Sequence, residues 1–178
     1  MPGDTITSMA PGAVFEVTVR NPGHDRRTGT LAFSFPGFEV SGDEDARAAV
    51  RRTLVNTSLN GALIESGKPT AWDMAYVLAA LDTAARTGGP LNADGPAWSR
   101  IATHLPEPVA GETGASLAID FDLRGGAARS YHVVLAWHAP HWRAGGAPSH
   151  ETTDLHTHMY AKHYPGALTT AEYLAQHH

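Results

Sequence analysis

Ser116-Leu117-Ala118-Ile119-Asp120-Phe121-Asp122-Leu123, then Arg124-Gly125-Gly126, then Arg129-Ser130-Tyr131-His132-Val133-Val134-Leu135-Ala136-Trp137-His138: the reading of this run decides the fold. Its first limb alternates without a break. Leu117, Ile119, Phe121 and Leu123 fall on one face, and Ser116, Ala118, Asp120 and Asp122 on the other. That is the period of two expected of a half-buried strand. Arg124-Gly125-Gly126 supplies turn chemistry. The second limb returns as a strand with Tyr131, Val133, Leu135 and Trp137 on a shared face.

Upstream, the same period recurs. From Ala13 to Arg20, Ala13, Phe15, Val17 and Val19 share a face, and Asn21-Pro22-Gly23 stops the strand. Thr28 to Phe35 follows, with Leu31, Phe33 and Phe35 inward, close enough to the first run to pair with it as a hairpin. Asp43 to Arg52 is polar and reads as a short helix capped by Ser41 or Asp43, or as a solvated excursion. Thr53 to Glu65 is apolar in patches, and Ser66-Gly67-Lys68-Pro69 is a turn. Trp72 to Leu81 is undecided by periodicity: its composition favours a helix and its place after a tight turn favours a strand. Residues 87–96 form a loop, and Ala97 to His104 a short helix with Trp98, Ile101 and Leu105 on one stripe. Residues 139–157 form a loop, and Leu168, Ala171, Tyr173, Leu174 and Ala175 predict a C-terminal helix. Short antiparallel strands between Gly/Pro turns imply a mainly β chain, an antiparallel β-sandwich with short helical excursions.

Composition excludes several classes. At 178 residues the chain is one domain or part of a larger one. A net charge of −5 gives no electrostatic case for nucleic acid or an anionic membrane. The absence of cysteine rules out disulfides, thiolate catalysis and cysteine-held zinc, and fits the cytoplasm. No apolar run approaches the ~20 residues of a membrane span, and no signal peptide is visible.

Candidate chemistry gathers late in the chain. His138, His141, His150, His156, His158 and His163 lie close in sequence. On an extended segment His156 and His158 would face one way, with Glu151 or Asp154 as a possible oxygen ligand to a metal. No HExxH helix accompanies them, so the plainer reading is a set of loop histidines packed on aromatics. Asp120 and Asp122 stand roughly 7 Å apart by strand rise, within the ~5–9 Å of glycosidase acid pairs. They lie on the solvent face, which needs no catalytic explanation. Asp73, beside Trp72 and near Tyr76, is better placed for sugar contact. Neither a GxSxG elbow, a P-loop nor a GxGxxG stretch is present. Trp137, in step with Val133 and Leu135, reads as core; Trp142, past the strand end, reads as exposed.

Three stretches carry a family likeness. Pro11-Gly12-Ala13-Val14-Phe15-Glu16-Val17-Thr18-Val19-Arg20-Asn21-Pro22 resembles a strand and turn in the N-terminal domain of glycoside hydrolase family 116, which includes non-lysosomal glucosylceramidase and bacterial β-glucosidases. Val133-Val134-Leu135-Ala136-Trp137-His138-Ala139-Pro140 resembles the strand closing that domain, and Tyr160-Ala161-Lys162-His163-Tyr164-Pro165 the lead into the catalytic barrel. The resemblance covers most of the chain in order; residues 41–60 match poorly.

This resemblance implies a β-sandwich over residues 1–166, with 167–178 beginning a helix that leads to an (α/α)6 catalytic barrel absent from the chain. It implies an internal piece, starting after the family's first strands. It favours strand for Trp72 to Leu81. The family's catalytic glutamate and aspartate lie in the barrel, so no catalytic residue is carried over, and no cofactor or metal is expected. The implied partners are that barrel and, through it, a β-glucoside such as glucosylceramide. His138, His141, Trp142, His158 and Tyr160 are the expected surface toward barrel or substrate. The competing readings are a free-standing carbohydrate-binding module and a small His-rich metalloenzyme.

Overall fold

In the computed structural model, residues 5–40, 44–67, 73–81, 83–143 and 155–178 are described. After a short helix α1 (Thr5–Ser8) come β1 (Gly12–Arg20), β2 (Arg27–Phe35), α2 (Glu44–Ala48), β3 (Arg51–Asn56), β4 (Leu59–Glu65), β5 (Ala75–Leu81), β6 (Arg86–Gly88) and α3 (Gly95–Ser99). Then follow β7 (Ala115–Leu123), β8 (Ala128–His138), β9 (His141–Arg143), β10 (Leu155–Thr157), a 3-10 turn (Met159–Lys162) and α4 (Ala167–His177). Five strands form one antiparallel sheet in the order β1-β8-β5-β4-β3, three form a second in the order β2-β7-β6, and β9 pairs with β10. The expected antiparallel, mainly β chain with short helices and a C-terminal helix is the observed one. No described helix is long and apolar enough to cross a membrane.

The alternating residues account for the space between the sheets. Leu117 and Ile119 of β7 meet Tyr131 and Val133 of β8, Tyr76 and Leu78 of β5, and Ala62 and Ile64 of β4. Leu31, Phe33 and Phe35 of β2 pack against this cluster. Burying a side chain such as Leu117 stabilises by about 1.5–3 kcal/mol. The large sheet is covered on its other face too. Val77, Ala79, Val134 and Ala136 pack with Ala167 and Ala171 of α4. Strands β5 and β8 are therefore apolar on both faces, which is why Trp72 to Leu81 shows no clean period. The strand alternative is the correct one there, from Ala75 on.

Two pairings differ from the sequence expectation. β1 and β2 do not form a hairpin: β1 pairs with β8, and β2 with β7. The strands β7 and β8 likewise lie in different sheets. Both connections are arches from one sheet to the other, stapled together by Asn21. Its buried amide donates to the carbonyls of Asp25 (2.8 Å), Leu123 (3.0 Å) and Arg124 (3.1 Å). The arches approach so closely that a Cβ on Gly125 would lie 2.1 Å from the His24 carbonyl oxygen. Turn chemistry signals that a strand stops; it does not say which sheet the chain enters next.

Three smaller corrections have similar causes. The helix expected over Ala97 to His104 is Gly95–Ser99 only, and Ala97 within it joins Leu91, Ile101 and Leu105 from the flanking turns in covering the outer face of the small sheet. Trp98 instead turns out and donates Nε1 to the Asn92 carbonyl. Asp94 caps this helix through Ala97 N at 3.3 Å. The polar excursion holds α2, while its proposed caps Ser41 and Asp43 lie outside the described residues. Within the loop read at 139–157, β9 and β10 pair, Trp142 opposite His156.

The two ends of the sandwich are unlike. At one end β1 leads to β2, β3 to β4, β5 to β6 and β7 to β8, by few residues each. At the other, where β2 leads to β3, β4 to β5, β6 to β7 and the chain leaves β8, the sequence between strands is longer. Long connections held by a rigid scaffold are where binding and catalytic groups concentrate.

Candidate functional site

His138, His141, Trp142, His158 and Tyr160, picked out by sequence, converge at the long-loop end. Strand β8 delivers His138 at its last residue, and the β9–β10 pairing brings His156 and His158 back over Trp142. The rings form a ladder. Trp142 stacks on His156 with centroids 4.8 Å apart and lies 6.2 Å from His158. His158 stacks on Tyr160 at 5.5 Å, and Tyr160 meets the edge of His138 at 6.1 Å. The two-residue spacing of His156 and His158 does put both rings on one side, as an extended segment requires.

Backbone bonds close the ladder. The Tyr160 hydroxyl accepts from Ala139 N at 2.7 Å and donates to Ala139 O at 2.6 Å. His158 N donates to Pro140 O at 2.8 Å. Burial pushes the Tyr160 phenol above its ordinary pKa, keeping it neutral. Trp142 remains 43% exposed at the end of the stack.

The histidines at the base are under-satisfied. Among the described residues, His138 Nε2 and His141 Nδ1 are buried without a hydrogen-bond partner. Such atoms cost about 1–3 kcal/mol each. Burial pushes the His138 pKa down; the nearby His141 acts the same way, and Asp73 opposes them. The fold thus resists protonating His138, whereas the unfolded chain takes up that proton near pH ~6.5. Stability from the neutral ring is complete above about that pH and is lost as pH falls through the depressed folded value. Denaturation midpoints should therefore drop on acidification, and His138→Gln should flatten that drop. Equal acid sensitivity in both proteins would refute this account of His138.

Other sequence candidates separate. Asp120 is bound by Arg86 at 2.9 Å and by Thr30 at 2.7 Å. Asp122 is paired with Arg26. Hydrogen bonds from these arginines hold both carboxylates below their ordinary range. Both are exposed ion-paired groups on the outer face, not an opposed acid pair. Tyr76 points into the core and donates to Thr113 O at 2.5 Å, so it is not a partner for Asp73 in sugar contact. Trp72, His150, Glu151 and Asp154 lie outside the described residues. Within them no three His, Asp or Glu side chains converge as metal ligands. His163 is exposed beyond the 3-10 turn. Trp137, expected in the core, is 44% exposed, while its register partner on β5, Tyr76, is the buried ring at that level.

One feature of this end escapes sequence reading. A cavity of about 340 Å³ is lined by Arg51, Glu65, Asp73 and His138 with Gly166 and Ala167. These residues come from the ends of four neighbouring strands and the start of α4, and only the sheet order brings them together.

A family model described as beta-glucosidase 2, glycosyl-hydrolase family 116 N-term, matches residues 1–178. No curated protein matches the chain.

Proposed function

Since the chain belongs to the N-terminal domain family of glycosyl-hydrolase family 116, we propose that its long-loop end docks against the catalytic domain of a β-glucosidase and braces it. That catalytic domain would be the (α/α)6 barrel of the family, reached through α4, with residues 1–166 as the sandwich proper. The substrate would be a β-glucoside such as glucosylceramide, cleaved by acids of the barrel, with the ladder walling one side of the approach. A chain without cysteine suits the cytoplasm.

One observation supports this reading above others. His138 Nε2 and His141 Nδ1, buried and without a partner among the described residues, adjoin a half-exposed Trp142, all at the end where the long connections emerge. Buried polar groups call for partners, and a tryptophan beside them is a frequent anchor of interfaces. A docked domain would supply the missing partners and cover the ring.

Hydrogen exchange tests the docking. The 178-residue chain should be compared alone and joined to its catalytic domain. Amides of residues 138–143 and 155–163 should slow several-fold in the joined protein. Protection confined to the arches at 21–26 and 124–127 would place the interface at the wrong end. The joined protein should hydrolyse aryl β-glucosides, and the chain alone should not.

A further inference from the structure

The cavity beside the ladder has a polar and an apolar wall, and His138 and Ser66 contribute an imidazole and a hydroxyl to the polar one. Glu65 and Asp73 bring carboxylates, which only accept, and Arg51 brings a guanidinium, which only donates. Gly166 and Ala167 open α4 there without a side-chain cap, so the first backbone N–H groups of the helix add donors. Met74, Ala75, Pro140 and Pro165 form the apolar wall between these groups. The shape is set by close backbone packing: Gly67 has φ +75°, and a Cβ on it would lie 1.5 Å from the Ala49 carbonyl oxygen.

This chemistry selects against charged ligands. An anion would face two carboxylates. A metal ion would need converging ligands, and the described residues offer no such group of three. A neutral molecule with hydroxyls around an apolar ring face fits both kinds of wall. The volume, about 340 Å³, is at the small end of the ~300–1,000 Å³ of ligand pockets, which limits the occupant to one small ring.

We propose that this cavity binds a neutral polyhydroxylated ring of about one hexose unit. Its hydroxyls donate to Glu65 and Asp73 and accept from Arg51 and the start of α4, and its C–H face lies on Met74 and Pro140. The site is built by the strand ends and the start of α4 together and does not depend on docking of a catalytic domain.

Amide NMR on the 178-residue chain, titrated with methyl β-D-glucopyranoside, tests it. Inorganic phosphate and gluconate serve as charged probes. The glucoside should give saturable shifts at residues 65–67, 73–75 and 166–168, and the charged probes should not. Asp73→Asn should weaken binding at least tenfold. Gly166→Asp caps α4 with its own carboxylate, so it should preserve the thermal midpoint while weakening the glucoside tenfold. Absence of saturable shifts, charged probes binding as tightly as the glucoside, or full affinity in both variants would each overturn the proposal.

Discussion

Tyr76→Ala should cost the chain about 4–8 kcal/mol of stability, much of what holds it folded. Tyr76 is 1% exposed and is the point where the two sheets and the 89–114 connection meet. Its ring takes edge contacts from Phe35 at 4.8 Å and Phe38 at 6.2 Å, and its hydroxyl holds the Thr113 carbonyl at 2.5 Å. Removing a buried aromatic ring costs about 3–5 kcal/mol, and stranding a buried carbonyl about 1–3 kcal/mol more. A domain of this size has about 5–15 kcal/mol in total. Urea denaturation measures the difference; a loss below about 2 kcal/mol would mean the ring is not the keystone described.

Tyr76→Phe separates the hydroxyl from the ring. It should cost about 1–3 kcal/mol near neutral pH. Its alkaline behaviour has a definite sign. Burial raises the Tyr76 pKa above the ordinary ~10, with Arg52 opposing and Glu112 reinforcing. Above pH ~10 the unfolded chain loses this proton while the folded chain keeps it, so stability falls by up to about 1.4 kcal/mol per pH unit. The contribution is whole below that pH and fades above it. Tyr76→Phe should show a shallower alkaline decline, and identical slopes would remove Tyr76 as its cause.

The sandwich is legible in sequence because its inter-sheet face is written with period two. Leu117, Ile119 and Phe121 on β7, and Leu31, Phe33 and Phe35 on β2, are where alternation puts them. Neighbour relations are not legible. Alternation tells which face a residue takes, not which strand lies beside it, so arches at 21–26 and 124–127 read as hairpins. Nor does it tell which member of a cross-strand pair is covered: Tyr76 is buried and its partner Trp137 is 44% exposed. The continuous apolar run Val133-Val134-Leu135-Ala136 becomes intelligible only with α4 on the second face. The ladder is legible because its members are near one another in sequence and His156 and His158 are two apart. The cavity is not, since Arg51, Glu65 and Asp73 share no spacing that a one-dimensional pattern could register.

Trp142→Ala should weaken association between this chain and a separately produced catalytic domain by about 30-fold or more, the equivalent of an interface hot spot of ≥ ~2 kcal/mol. The chain alone should barely notice. Trp142 is 43% exposed, and losing its stacking on His156 across a short strand pair removes only about 0.2–1 kcal/mol. Trp98→Ala is the matched control: that ring is 39% exposed, but it sits on the helix covering the outer face of the small sheet. It should leave association unchanged. Exposure therefore does not distinguish the two tryptophans; surroundings do. Trp142 adjoins the nitrogens of His138 and His141 that have no partner among the described residues, and Trp98 Nε1 is already satisfied by the Asn92 carbonyl. A docked surface that covers Trp142 also completes those buried groups, so the gains on docking are coupled. If both substitutions weaken association equally, or neither does, the long-loop end is not the docking face.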